Sequence, residues 1–144
     1  MEIWKLPPRI KVLEALGAIA DGRVDIKNNK VISSARDREY TIEYDKEKNA
    51  ILSNDNGSIY RGYLGYPAIA YLMLIGELPF DEKISQALKG IPWRRINRFF
   101  KNYEKVEKYI KEKVEARGYN WEDIIKFADR VLEEIKKKKF KRLR

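Results

Sequence analysis

Cysteine and histidine are both absent from this chain of 144 residues. Their absence excludes disulfide bonds, a thiol nucleophile, zinc sites built from Cys and His ligands, and acid–base catalysis by an imidazole. No apolar run approaches the roughly 18 residues that a membrane-spanning helix needs, and the first residues lack the pattern of a signal peptide. We therefore expect a cytoplasmic protein that has no metal, no cofactor and no contact with a membrane.

The composition is that of a folded and highly charged protein. Hydrophobic residues make up 44% of the chain and charged residues make up 37%. At this length and hydrophobicity, we expect a single domain with its own hydrophobic core. The high charge, the absence of cysteine and the near absence of glutamine are similar to the composition of hyperthermophilic proteins, and they predict an archaeal source.

The positive charge is concentrated in the C-terminal part of the chain. Residues 1–90 hold 13 Lys or Arg and 13 Asp or Glu, whereas residues 91–144 hold 18 and 9 and so carry the whole net charge of +9. A basic region of this kind is typical of proteins that bind an anionic partner such as nucleic acid. It is also typical of the solvated surface of a thermophilic protein, and the charge pattern leaves both interpretations open.

The periodicity of apolar residues predicts an α+β fold. A helix over 7–20 begins at two prolines and ends at an Asp-Gly pair. Short alternating segments then predict an antiparallel meander of three to four strands, and a segment that is apolar on every side predicts a helix buried in the core. Two amphipathic helices near the C-terminus predict a basic helical hairpin. The expected strands are 23–28, 30–34, 39–44 and 50–53, and the later helices are 68–75, 81–88, 92–117 and 120–139.

Motifs within residues 23–74 carry a resemblance to a known family. The chain has VISSARDREYTIEY at 31–44, SND at 53–55, YRG at 60–62 and YPAIAYLML at 66–74. These segments resemble the SWIM domain, a zinc-binding module in which strands are followed by a cysteine pair, a loop of the form DxxxRG…P and a helix of the form CxHIxAxxL. The resemblance implies a SWIM-like α+β core over 1–90, with residues 91–144 as a basic helical extension packed on it within a single domain.

The chain departs from the SWIM pattern at all four metal ligands. The cysteine pair aligns with Ile51 and Ser53, and the Cys and His of the helix align with Ala68 and Ala70. None of these side chains binds zinc, because thiolate and imidazole are its usual ligands. The resemblance therefore implies a degenerate SWIM-like module without zinc, whose relatives are mostly non-catalytic adaptors that bind DNA or proteins.

A row of basic residues predicts a phosphate-binding stripe on the first of the two C-terminal helices. On one continuous helix, their spacing of four and three residues places them within about 80° of one another. The apolar face of that helix would include Phe99 and Tyr103. Alternatively, glutamates at 104 and 107 pair with the lysines four residues after them, and the row is an ordinary solvated face. The stripe consists of Arg94, Arg98, Lys101, Lys105 and Lys108, of which Arg94 is the strongest candidate because its planar fork suits phosphate.

The last nine residues, 136–144, form a second basic segment with seven Lys or Arg. This segment predicts a flexible arm that follows phosphates, a frayed helix end where cations suit the helix dipole, or both together. The candidate nucleic-acid-binding residues in it are Lys136, Lys137, Lys138, Lys139 and Arg142.

The loop over 53–67 is a candidate interaction surface. It carries Tyr60, Tyr63 and Tyr66 at a spacing of three residues, together with Arg61 and Asp55. Exposed tyrosine and arginine are typical of protein interfaces and of base stacking. Alternatively, the tyrosines pack over the core with their hydroxyl groups exposed, and Asp55 stabilises a turn.

Taken together, these patterns predict a non-catalytic binding module that contacts DNA, RNA or a nucleic-acid-handling protein through its basic C-terminal half. The alternative is a protein-interaction or scaffold subunit whose interface is the tyrosine-rich loop. A third hypothesis is an enzyme centred on Asp55 and Arg61, although no motif with a catalytic mechanism is present. That hypothesis predicts a deep pocket in which Asp55 converges with other polar groups.

Overall fold

The computed structural model describes residues 1–144 and confirms the predicted α+β fold. The helices are α1 (Arg9–Ala20), α2 (Tyr66–Leu74), α3 (Glu82–Ala87), α4 (Trp93–Phe100), α5 (Tyr103–Ala116) and α6 (Trp121–Lys138). The strands are β1 (Val24–Asp25), β2 (Lys30–Ile32), β3 (Glu39–Asp45), β4 (Ala50–Ser53) and β5 (Lys141–Arg142). A short π-helical segment, Gly57–Arg61, lies between β4 and α2. No helix is both long enough and apolar enough to cross a membrane.

The first four strands form the expected antiparallel meander, in the order β1-β2-β3-β4. Asn29 and Asn49 lie in the turns before β2 and β4 with φ of 55° and 51°, a conformation that asparagine tolerates better than most residues. A fifth strand, which the periodicity did not predict, extends the sheet: β5 lies parallel to β4, with Lys141 opposite Ala50. The C-terminus is thereby joined to the sheet.

Helix α1 lies at the centre of the hydrophobic core. It packs against α2, α3, α5 and α6, and nearly all of its residues from Ile10 to Ala18 are buried. The core includes apolar side chains from α1, the sheet, α2 and all the later helices. The basic C-terminal helices therefore pack on the same core as the N-terminal part of the chain.

The single long helix predicted over 92–117 is wrong, because the chain breaks between Phe100 and Tyr103. Lys101 adopts a left-handed conformation (φ 53°) and ends α4. Asn102 then begins α5 as its N-cap, with its side-chain oxygen accepting a hydrogen bond of 3.1 Å from the backbone N–H of Lys105. Two of the residues expected on the apolar face are exposed instead: Phe99 is 78% exposed and Tyr103 is 46% exposed.

The prediction of a flexible arm at the C-terminus is also wrong. Phe140 is only 2% exposed and joins the hydrophobic core. The side-chain amide of Asn49 donates a hydrogen bond of 2.6 Å to the carbonyl of Lys138, and the guanidinium of Arg142 lies 5.2 Å from the ring centroid of Trp4. The burial of the Phe140 ring and the pairing of β5 with β4 hold the tail against the sheet, despite the positive charge of this segment.

Candidate functional site

A polar cavity of about 300 Å³ opens where α1, the sheet, the loop after β4 and α4 meet. We call it the polar pocket. Only four of its 15 lining residues are hydrophobic, an unusual lining for a cavity in so small a protein. The pocket is lined by Lys11, Glu14, Arg23, Ser33, Ser34, Tyr40, Asp55, Asn56, Gly57, Tyr63, Tyr66, Trp93, Arg94, Asn97 and Arg98.

Three charged residues in the wall of the polar pocket are almost completely buried. Glu14 is 3% exposed, Arg23 is 2% exposed and Asp55 is 5% exposed. Burying a charge is costly unless it is paired and hydrogen-bonded. The partners of each group therefore decide whether it supports the fold or remains free for a ligand.

Glu14 connects the two helices on either side of the polar pocket. One carboxylate oxygen lies 2.9 Å from the ammonium of Lys11, and the other accepts a hydrogen bond of 2.5 Å from the side-chain amide of Asn97. Burial lowers the pKa of Lys11, but the attraction of Glu14 outweighs it, and the pKa lies above its usual range. Lys11 is therefore a stable cation, and Glu14 has a partner at both oxygens.

Arg23 has partners for only part of its guanidinium. Its Nε donates to a carboxylate oxygen of Asp21 at 3.2 Å, and its Nη1 donates to the carbonyl of Ile32 at 2.8 Å. The remaining nitrogen, Nη2, is buried and has no hydrogen-bond partner. Buried polar groups without partners are rare in folded proteins, and each one calls for a specific explanation, such as a bound water or ion or a functional role.

Two further buried atoms of the pocket-lining residues have no partner. They are the indole Nε1 of Trp93, which is a donor, and the amide oxygen Oδ1 of Asn97, which is an acceptor. The indole packs directly over Gly17 of α1, since a Cβ atom there would lie 2.7 Å from Nε1. Together with Nη2 of Arg23, these atoms make two donors and one acceptor without protein partners.

Asp55 anchors the loop after β4. Its Oδ1 accepts hydrogen bonds from the hydroxyl groups of Ser53 (2.6 Å) and Ser58 (2.7 Å), and its Oδ2 accepts one from the N–H of Ser58 (3.2 Å). The carboxylate packs so closely on Gly65 that a Cβ atom there would lie 2.1 Å from Oδ2. Asp55 does converge with other polar groups in a pocket, but both of its oxygens are occupied by hydrogen bonds that shape the loop.

Tyrosines supply most of the aromatic surface of the polar pocket. Burial raises the pKa of Tyr63 and of Tyr66 above the usual range, so both phenols stay neutral, and nearby cations only partly offset this effect. The ring of Tyr40 meets that of Tyr66 edge-on, with 6.1 Å between the centroids. Tyr66 packs against the hydrophobic core and Tyr63 lines the polar pocket, whereas Tyr60 is 77% exposed and lies outside the pocket.

A second cavity of about 330 Å³ adjoins the polar pocket and shares Lys11 and Asn97 with it. We call it the groove. Its lining residues are Lys11, Arg61, Asn97, Lys101, Asn102 and Tyr103. The break between α4 and α5 forms one side of the groove, because Lys101 and Asn102 are the residues at the break.

The cations of the predicted stripe differ in whether they have an acidic partner. Arg94 is already paired, with 2.5 Å between its Nη1 and a carboxylate oxygen of Asp37, and this hydrogen bond lowers the pKa of Asp37 to about 2. This makes Arg94 a weaker phosphate ligand than the sequence predicted. The other four stripe residues, Arg98, Lys101, Lys105 and Lys108, form no ion pair within 4.0 Å, and neither does Arg61.

The alternative pairing within α5 does not form. Glu107 binds Arg9 of α1 through two hydrogen bonds of 2.8 Å and 3.1 Å. The carboxylate of Glu107 therefore pairs with Arg9 and not with Lys111, the lysine that the sequence assigned to it. In the tail, by contrast, Lys137 pairs with Glu134 and Lys138 pairs with Glu77.

The structure brings together residues that the sequence assigned to two separate surfaces. The polar pocket takes Arg94 and Arg98 from the stripe and Asp55, Tyr63 and Tyr66 from the loop, whereas the groove takes Lys101 from the stripe and Arg61 from the loop. The candidate residues that line neither cavity are Tyr60, Lys105, Lys108, Lys136, Lys137, Lys138, Lys139 and Arg142.

Sequence reasoning identified five of the 15 residues that line the polar pocket as candidate site residues and missed ten. The missed residues are Lys11, Glu14, Arg23, Ser33, Ser34, Tyr40, Asn56, Gly57, Trp93 and Asn97. One signal was available, because Glu14 is the only charged residue in the apolar stretch from Val12 to Ala20. A charge in such a position requires a buried partner and so marks a polar site.

The four positions aligned with the SWIM ligands all lie in the interior. Ile51, Ala68 and Ala70 are buried, and Ser53 is buried with its hydroxyl donating to Asp55. Their side chains fill space and offer no donor set for zinc, and the chain contains no cluster of acidic residues suited to a metal ion. The resemblance to SWIM domains itself stays a prediction.

Comparison with known proteins places the chain in one family. No curated protein and no solved structure matches it. A family model described as "Uncharacterised conserved protein UCP014422" matches residues 4–141, a span that contains the polar pocket and the groove in full. The chain therefore belongs to the family of uncharacterised conserved proteins UCP014422.

Proposed function

We propose that this protein is a non-catalytic module that binds nucleic acid through the cations around the groove and along α5. The observation that carries the proposal is a set of basic side chains without acidic partners: Arg61, Arg98, Lys101, Lys105 and Lys108. An unpaired cation gains the full benefit of neutralising a phosphate, since it gives up no existing ion pair. Each phosphate neutralised in this way releases counterions and adds to the affinity.

The arrangement of these cations supports a continuous contact surface. Arg61 and Lys101 line the groove, and Arg98 lines the adjoining polar pocket. Lys105 lies in the first turn of α5, where its N–H binds the side chain of Asn102 in the wall of the groove, and Lys108 follows one turn later. A thermophilic surface that served only for stability is expected to carry networks of ion pairs, which these five residues lack.

The proposal is tested by fluorescence anisotropy of the full chain with labelled single- and double-stranded DNA and RNA over a range of salt concentrations. We expect log K to fall linearly with log salt, by about 0.7 per phosphate contact for single strands and 0.9 for duplexes. The double variant Arg98→Ala with Lys101→Ala removes two contacts, and it should flatten the single-strand slope by about 1.4.

A matched control removes the same charge elsewhere. Lys27 and Lys83 are exposed and form no ion pair, and neither lines the polar pocket or the groove. Lys27→Ala with Lys83→Ala should leave the slope nearly unchanged. Equal flattening by both double variants, or binding weaker than about 0.1 mM, which is the weak limit of ordinary non-specific binding, would contradict the proposal.

A protein-interaction function is the second candidate, and one observation favours it. Phe99 and Tyr60 are 78% and 77% exposed, and large exposed aromatic side chains are enriched in protein interfaces. This function predicts a partner that co-purifies with the protein at high salt and is lost in the variants Phe99→Ser and Tyr60→Ser. Nucleic-acid binding instead weakens steeply as salt rises.

A further inference from the structure

The charges around the polar pocket are arranged in layers. Both carboxylates, on Glu14 and Asp55, belong to buried residues, whereas Arg98 at the rim is exposed and unpaired. In the same wall, the cations of Lys11 and Arg23 balance the charge of these two carboxylates, so the interior has no net charge that would attract a phosphate group. The unpaired cations of the rim and the groove do attract one. The interior therefore favours a neutral group, and the rim favours an anionic one.

The unpartnered atoms in the wall define the chemistry of the neutral group. Nη2 of Arg23 is a donor, and Oδ1 of Asn97 is an acceptor. Nε1 of Trp93 is covered by Gly17 of α1 and does not belong to this set. The orientation of the Asn97 amide follows from Glu14, because a carboxylate accepts hydrogen bonds and so requires the Nδ2 group of the amide. A ligand that offers an acceptor together with a donor matches this set, whereas a phosphate dianion offers acceptors only.

A nucleobase has this combination of groups on its edge and a flat face on either side. The polar pocket contains the rings of Tyr40, Tyr63 and Tyr66, on which a flat base packs favourably. Its volume of about 300 Å³ lies at the lower end for small-molecule sites. The groove continues from the pocket and holds Arg61 and Lys101, the residues suited to the phosphates on the neighbouring nucleotides.

We propose that the polar pocket receives one unpaired base of the bound strand, with the sugar-phosphate backbone along the groove. This inference rests on the proposed nucleic-acid function and extends it, since it assigns a specific site and a preference for unpaired nucleotides. A base within a duplex cannot enter the pocket without leaving its stack, which costs free energy. The protein therefore prefers single strands, strand ends or unpaired positions to regular duplex.

The test compares two single-stranded oligonucleotides of equal charge. One is oligothymidylate of about 12 nucleotides, within the range that single-strand sites span, and the other has the same backbone with abasic sites in place of the bases. Electrostatic contacts alone predict equal binding. Insertion and stacking of a base predict about tenfold weaker binding or more for the abasic strand, with the same dependence on salt.

Two variants at one position assign the effect to the polar pocket. Tyr63→Ala removes a pocket ring and should abolish the difference between the two strands, while Tyr63→Phe keeps the ring and should preserve it. The abasic comparison is made on the natural protein, so its result does not depend on either variant folding. Circular dichroism melts of both variants show whether the fold is intact.

The outcomes separate this inference from the proposed function. Equal, salt-dependent binding of both strands overturns the inference and leaves nucleic-acid binding standing. Loss of the difference in Tyr63→Ala alone supports the pocket as the base site, whereas a difference that persists in folded Tyr63→Ala places the base elsewhere and overturns the assignment. Binding of neither strand overturns the proposed function, and the inference that rests on it.

Discussion

The carboxylate of Glu14 on α1 accepts a hydrogen bond of 2.5 Å from the side-chain amide of Asn97 on α4, across 83 residues of chain. The same carboxylate holds the ammonium of Lys11 at 2.9 Å. Glu14 thus joins the N-terminal part of the chain to the basic C-terminal part. It also fixes which atom of the Asn97 amide is left without a partner.

Glu14→Ala should be strongly destabilising. The Lys11 side chain is only 15% exposed, so removal of its partner leaves a largely buried and uncompensated charge. Breaking a buried pair in this way costs about 3–5 kcal/mol. We expect the free energy of unfolding in urea at pH 7 to fall by about that amount.

The control for this variant is an ion pair of the same kind at the surface. Lys30 and Glu39 lie 3.2 Å apart with side chains 44% and 58% exposed. Glu39→Ala should change the free energy of unfolding by about 1 kcal/mol or less. If Glu14→Ala were as mild as Glu39→Ala, the buried pair would contribute little to the fold.

Phe140→Ala tests whether the C-terminal segment belongs to the fold. Truncating a buried phenylalanine in a core typically costs about 3–5 kcal/mol. We expect a loss in that range on urea unfolding, because Phe140 is 2% exposed and lies next to the strand that pairs with β4. The neighbouring Lys136→Ala removes only an exposed side chain and should cost about 0.5 kcal/mol or less. If the two variants were nearly equal in stability, the flexible-arm interpretation of this segment would be the correct one.

The stability of the fold at acid pH should depend on Asp37. Its hydrogen bond from Arg94 lowers the pKa from the ordinary value of 3.8 to about 2 in the folded protein. A lowered pKa contributes stability that is present above the unfolded value and is lost as the pH falls through the folded value. The free energy of unfolding should therefore decline between about pH 4 and pH 2 in the natural protein, and less steeply in Asp37→Asn.

Arg94→Ala provides the matching variant for this pH dependence. Removing the guanidinium takes away the hydrogen bond that lowers the pKa of Asp37. The decline of the free energy of unfolding at acid pH should therefore be shallower in Arg94→Ala, as it is in Asp37→Asn. Denaturant melts at several pH values measure this decline. An unchanged decline in both variants would mean that other carboxylates account for it.

Local patterns were enough to predict the helices and the meander of the N-terminal part, but in the C-terminal part they missed the division of α4 from α5 and the strand β5. Alternation and apolar runs gave the meander and the buried α2, because these patterns follow directly from which face is buried. The break at Lys101 was hidden, since the apolar spacing continues through it. Asn102 with Glu104 in the following turn is an N-cap signal, and giving it more weight would have divided the helix correctly.

The candidate site could be predicted only in fragments. Arg98 and Tyr63 were each identified, but as members of separate surfaces, because nothing local indicates that α4 packs beside the loop after β4. Arg23 was predicted only as the first residue of a strand, and its burial depends on the carbonyl of Ile32 in the neighbouring strand as well as on the nearby Asp21. Likewise, the pairing of Arg94 with Asp37 spans 57 residues and has no sequence signal.

The pairing of Arg94 with Asp37 leads to a prediction of tighter nucleic-acid binding when Asp37 loses its charge. Asp37→Asn removes the charge that holds Arg94 and leaves the guanidinium, at the edge of the polar pocket, available for phosphate. We expect tighter binding of single-stranded nucleic acid at low salt, with a salt dependence steeper by about 0.7 for the one added contact. Anisotropy titrations at several salt concentrations measure both changes.

Glu39→Gln is the control for net charge, because it also removes one exposed acid from an ion pair, here with Lys30. Neither Glu39 nor Lys30 lines the polar pocket or the groove. If both variants strengthened binding equally, the cause would be the overall charge of the protein. If Asp37→Asn alone does so, Arg94 extends the row of phosphate ligands that begins at Arg98, and the acid at position 37 restrains nucleic-acid binding by competing with phosphate for it.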